Sequence, residues 1–138
     1  MLKRFHILEH TADVGIVAHG EDLSQTFANA ARGMFSLLAD RRRVRRRSRF
    51  SVSVEAADLE GLLVTWLEEL LFLFETQGVL LTDFQISHLD SSHLEATAVG
   101  EPIDPARHSI KIGIKGVTYH QLRIERRDGY RAQVIFDI

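Results

Sequence analysis

The chain has 138 residues, 45% hydrophobic and 26% charged, a balance that describes one globular domain with its own core and excludes a disordered chain. No apolar run nears the roughly 20 residues that span a bilayer, and the N-terminal apolar patch is too short and broken for a signal peptide. The absence of cysteine excludes disulfides and thiolate metal sites and suits a reducing cytoplasm, so a single cytoplasmic domain over residues 1–138 is expected.

In chain order, residues 5–9 (FHILE) and 14–19 (VGIVAH) read as short strands, with Thr11, Ala12 and Asp13 supplying turn chemistry between them. A helix follows. Leu23, Phe27, Ala30, Ala31, Met34, Leu37 and Leu38 recur at helical spacing, and Asp22 with Gln25 three residues on resembles a capping box. Arg41, Arg42 and Arg43 follow its end, where cations complement the helix dipole.

Phe50, Val52 and Val54 then alternate with polar residues, the period of a half-buried strand. A second helix is expected from Asp58, with Leu59, Leu62, Leu63, Trp66, Leu67, Leu70 and Leu71 on a face so broad that it must be covered from more than one side. Gly78 is placed to stop it. The rest alternates as strands: residues 79–89, 93–103, 109–127 and 130–138. Asp90-Ser91-Ser92 marks one turn and Asp128-Gly129 a hairpin, while Pro102 and Pro105 indicate a loop over 100–109. The expected class is α+β, a mixed β-sheet of six or seven strands packed with two main helices.

The formal net charge of −2 conceals an asymmetry. Residues 41–49 (RRRVRRRSR) hold seven of the seventeen basic residues, leaving ten bases against nineteen acids, a formal −9, elsewhere. Arg41, Arg42, Arg43, Arg45, Arg46 and Arg47 are therefore candidates to contact phosphate or an acidic partner, against the plainer reading of a solvated turn. No aromatic lies within 41–49, which argues against base stacking there.

Familiar catalytic patterns are missing: there is no phosphate-binding loop, dinucleotide fingerprint or nucleophile elbow. The seven histidines (6, 10, 19, 88, 93, 108 and 120) show no metal-ligand spacing. The carboxylates offer more. If residues 130–138 form a central strand, Asp137 emerges beside the terminal carboxylate of Ile138, and two adjacent anions repel. A third carboxylate such as Asp13 would complete an oxygen set for a hard divalent cation; an ordinary Asp beside a solvated terminus is the alternative.

Three blocks, EHTADVGI (residues 9–16), LLVTWLEELLFLFET (62–76) and KGVTYHQLRIERRDGYRAQVIFDI (115–138), occur in an order that resembles the archease family over essentially the whole chain. Gly116 departs from the Ala the family commonly carries there, and the arginine run lies outside the matching blocks. The resemblance implies a compact α/β domain that is not itself an enzyme but an activator of the tRNA-splicing RNA ligase, which joins 3′-phosphate or 2′,3′-cyclic-phosphate ends to 5′-hydroxyl ends. It further implies promotion of that ligase's guanylylation by GTP and its multiple turnover. A divalent metal ion (Ca²⁺, Mg²⁺ or Mn²⁺) would be held by Asp13, Asp137 and the carboxylate of Ile138. His120, in the block Thr118-Tyr119-His120, is a candidate supporting residue. The RNA ligase is the expected partner, with tRNA reached indirectly and no membrane contact. Two other functions remain open: a metal-dependent phosphohydrolase using the same carboxylates, and an RNA-binding or chaperone-like module using the arginine run.

Overall fold

The computed structural model describes residues 4–9 and 13–138, with Glu9 described in its backbone only. The expected turn residues Thr11 and Ala12, and His10, lie outside the described residues. The elements are β1 (Phe5–Glu9), β2 (Asp13–Gly20), α1 (Leu23–Leu38), a 3-10 turn (Arg41–Arg43), β3 (Ser48–Glu55), α2 (Leu59–Gln77), β4 (Val79–Leu89), β5 (His93–Pro102), β6 (Gly116–Arg126) and β7 (Tyr130–Asp137).

Both helices start where the sequence places them. The Asp22 side chain accepts from Gln25 N at 2.8 Å, and the Gln25 side chain reaches one residue further back than in the usual box, accepting from Glu21 N at 3.0 Å. Asp58 caps α2 through Gly61 N at 2.7 Å. Gly78 ends α2 in the left-handed region at φ 62°, a conformation that costs a residue with a Cβ about 1–2 kcal/mol.

The α+β class holds, and the seven strands separate into two antiparallel sheets. One has the order β1-β2-β7-β6 and the other β3-β5-β4. Each helix packs on both sheets: α1 against β2 and β4, α2 against β6 and β3. That explains the breadth of the α2 apolar face: Leu62, Leu63, Trp66, Leu67 and Leu70 are fully buried. The Trp66 indole donates to Phe27 O at 3.0 Å, so the α1–α2 contact leaves no orphaned donor in the core.

Residues 109–115 depart from expectation. Their alternation suggests strand, yet they join no sheet ladder, and β6 begins only at Gly116. Ile114 is buried and Ile112 partly buried, while Lys111 N donates to Leu38 O at 2.7 Å. The segment alternates because it lies against the C-terminal end of α1, and its backbone finds a helix carbonyl instead of a ladder. The hairpin at Asp128-Gly129 forms as read, with both residues at positive φ. The turn at Asp90-Ser91-Ser92 is tied by the Asp90 carboxylate, which accepts from Ser92 N and His93 N, each at 2.9 Å.

Candidate functional site: an acidic end of the first sheet

β7 lies between β2 and β6 in the first sheet, and Val134, Ile135 and Phe136 are buried. The end of β7 is therefore held from both sides. In the β2–β7 register Asp13 stands opposite Asp137, and Val14 opposite Phe136. Opposed residues share a face of the sheet, so the register sets Asp13 and Asp137 on the face opposite Val14 and Phe136, with Asp137 exposed and Asp13 half-buried. Lys115 N donates to Asp137 O at 2.7 Å, and Gly116 flanks Asp137 on the β6 side.

A cavity of about 400 Å³ opens at this end, lined by Ile7, Asp13, Val14, Ser36, Leu37, Lys111, Ile112 and Ile138. Asp13 and Ile138 thus meet at one cavity, with Asp137 adjoining but exposed. Asp13 Oδ1 is buried and has no hydrogen-bond partner among the described residues. Also among the described residues, no three His, Cys, Asp or Glu side chains converge as a metal site; a third oxygen donor here would be the main-chain carboxylate of Ile138. Lys111 lines the same cavity without having stood out in the sequence, because a lysine at a polar position of an alternating run reads as an ordinary solvated side chain.

His120 is exposed and does not line this cavity. It lies in an irregularity of β6 where four residues, 119–122, intervene between the paired Thr118 and Arg123. Its N–H donates to Thr118 Oγ1 at 3.2 Å.

The arginine run is divided by its contacts. Arg42 is engaged by Asp40, Nε to Oδ1 at 3.0 Å and Nη2 to Oδ2 at 3.1 Å. Arg41 folds back to donate to Thr82 O at 2.6 Å, and Arg46 pairs with Asp83 at 2.7 Å. Arg43 and Arg45 lend backbone atoms to a buried group: Arg45 N donates to Glu101 Oε2 at 2.7 Å, and Arg43 O lies 3.1 Å from His108 Nε2. Arg43, Arg45 and Arg47 leave their side chains exposed.

The fold and this end together define a small α+β domain of two antiparallel sheets sharing a helix pair, with carboxylates gathered where β2 and β7 meet. The Archease protein family model matches residues 5–138. Protein archease of Methanosarcina mazei is 40% identical over 141 residues, covering 99% of this chain and 97% of the relative. Protein archease of Pyrococcus furiosus is 37% identical over 142 residues, covering 99% and 100%. The solution structure of protein 1598 of Methanobacterium thermoautotrophicum superposes with a TM-score of 0.85 at 36% identity, covering 99% of this chain and 100% of that one. The chain belongs to the archease family. Among its described residues no helix is long and apolar enough to cross a membrane.

Proposed function

We propose that this protein is a non-enzymatic activator of the tRNA-splicing RNA ligase, promoting the GTP-dependent guanylylation and turnover of that enzyme through the acidic end of its first sheet. Family membership supports an accessory role in RNA processing. The observation that carries the site is the register that sets Asp13 opposite Asp137 beside the cavity shared by Asp13 and Ile138.

Asp13, Asp137 and the α-carboxylate of Ile138 are the groups that would hold a divalent cation. They are hard oxygen donors, suited to Ca²⁺, Mg²⁺ or Mn²⁺, and Asp13 Oδ1, buried without a partner among the described residues, is the kind of atom that calls for one. A cation bound there would supply positive charge against the phosphates of GTP and RNA. The chain's own part is positional. Buried Val134 and Phe136 fix the strand, Lys115 N holds the Asp137 carbonyl, and the carboxylates are presented on a rigid edge instead of a frayed tail. The covalent nucleophile for guanylyl transfer belongs to the ligase.

The test is reconstituted guanylylation of the cognate ligase with Mg²⁺ or Mn²⁺. Asp13→Ala and Asp137→Ala, each folded by circular dichroism, are expected to lose most of the stimulation. Full stimulation by both variants would sink the proposal.

A further inference from the structure

Asp83 stands beside a bulge in β4 and pairs with arginines from two separate parts of the chain. Arg32, on α1, reaches its Oδ1 at 2.5 Å, and Arg46 reaches its Oδ2 at 2.7 Å. Arg41 and Arg4 lie close enough for their charges to act on one another. Burial pushes the Arg41 guanidinium down most, Arg32 and Arg4 push it further, and Asp83 opposes them ahead of a last contribution from Arg46. Arg41 Nε is buried without a hydrogen-bond partner among the described residues. Two guanidinium groups, those of Arg32 and Arg46, thus share the Asp83 carboxylate, with the Arg41 guanidinium nearby, an arrangement that like-charge repulsion makes costly.

The surface around them is concave. A cavity of about 760 Å³ is lined by Arg4, His19, Asn29 and Arg32 among others, and one of about 260 Å³ by Arg46, Arg47, Arg49 and Asp83. Both include Phe84 and Gln85, so the two adjoin as a single track whose excess of positive charge lies in the smaller cavity, with Arg46, Arg47 and Arg49 against Asp83. The acids Glu21 and Asp128 belong to the larger cavity only. We propose that this track binds the phosphate backbone of RNA, and that it is a site distinct from the acidic end of the first sheet.

Two observations favour a polyanion over an acidic protein surface. Protein interfaces are built around an apolar and aromatic centre, whereas the aromatic ring on this track, Phe84, is only 4% exposed. Without an exposed Phe, Tyr or Trp to stack on bases, the track suits phosphates and not base identity. Its placement also leaves both ends of the molecule usable. His19 and Gly20 end the strand that Asp13 begins, about 23 Å away at 3.3 Å per residue. Likewise Ser24 and Gln25 of α1 line the large basic cavity, while Ser36 and Leu37 line the acidic one.

The experiment is fluorescence anisotropy with a labelled single-stranded RNA over a range of salt concentrations. The triple variant R46Q/R47Q/R49Q alters exposed side chains and is expected to bind at least tenfold more weakly, with a salt slope smaller by about 2. Arg42→Gln, whose guanidinium is already occupied by Asp40, should bind as wild type, and pyrimidine and purine oligonucleotides should bind alike. Asp137→Ala should leave RNA affinity unchanged, which separates this site from the ligase-activation reading. Absence of salt-dependent RNA binding, or wild-type RNA affinity in the triple variant, overturns the proposal. So does a triple variant that loses binding only to polyglutamate, since the track would then be a protein-docking surface.

Discussion

Asp13 and Asp137 oppose one another directly across the β2–β7 pair, two carboxylates on one face of one sheet. Like charges so placed destabilise a sheet by roughly 0.2–1 kcal/mol. Metal-free Asp137→Asn is therefore expected to melt slightly above wild type, by a few degrees at most. The same variant should lose the rise in melting temperature that Mn²⁺ gives the wild type, because binding to the native state stabilises in proportion to occupancy. Paired thermal melts with chelator and with Mn²⁺ check both halves. A variant melting lower than wild type without metal would show that the Asp137 carboxylate has a structural partner.

Glu101 ties the arginine run to the loop that follows β5. It is 4% exposed and accepts from Arg45 N at 2.7 Å, from the Arg107 guanidinium and from His108 Nε2 at 3.1 Å. The His108 tautomer follows, because Nδ1 accepts from Asp104 N at 2.9 Å, leaving Nε2 to carry the proton. Removing one partner of such a buried pair costs about 3–5 kcal/mol, and Glu101→Ala should lose that much in urea denaturation at neutral pH.

The pH dependence of the same group has a definite sign. Burial pushes the Glu101 carboxyl up, but the Arg45 N–H, Arg107 and His108 outweigh it and hold it below its ordinary 4.5. A carboxylate depressed in the folded state stabilises above its unfolded value, and that contribution disappears as pH falls through the folded one. The stability gap between wild type and Glu101→Gln should accordingly be constant from pH 7 to about 5 and shrink below 4.5. Denaturation at a series of pH values measures it, and a gap that widens in acid would contradict the assignment.

Two glycines make opposite predictions. A Cβ on Gly100 would overlap the Leu80 carbonyl across the β4–β5 pair, a backbone atom that cannot swing aside, whereas one on Gly116 would meet nothing within 4 Å. Gly116 also has no positive φ, so Gly116→Ala should be neutral or stabilise by about 0.4–1 kcal/mol through the unfolded chain. Gly100→Ala should destabilise by more than that. Chemical denaturation of the two variants side by side decides it.

The helices were legible because their information is local: an Asp cap, a 3.6-residue stripe and, for α2, a terminal glycine. The separation of seven strands into two sheets was not, since alternation reports a buried face but not the partner strand. Residues 109–115 show the limit most clearly, alternating against a helix end without joining a sheet ladder. At the acidic end, Asp137 and Ile138 could be singled out by position, yet the register that sets Asp13 against Asp137 depends on a pairing more than 120 residues apart in sequence. The basic track was half visible as a run of arginines. Arg32 carries no signal until α1 and β4 bring it to Asp83.

The acidic cavity allows a last prediction that separates the terminal carboxylate from the Ile138 side chain. Ile138 packs against the core and lines the cavity together with Asp13 and Lys111. Adding two glycines after Ile138 keeps the side chain and its packing but moves the free carboxylate away from Asp13. Divalent binding, measured by calorimetry with Mn²⁺, should weaken at least tenfold with little change in melting temperature. Lys111→Met should act in the opposite direction, because it removes a positive charge from the cavity where the cation would sit, and attraction to the carboxylates would then be opposed by one charge fewer. If the extended chain binds Mn²⁺ as wild type does, the carboxylate of Ile138 is not a ligand. If Lys111→Met also leaves affinity unchanged, the cation sits outside this cavity, on the exposed side of Asp137.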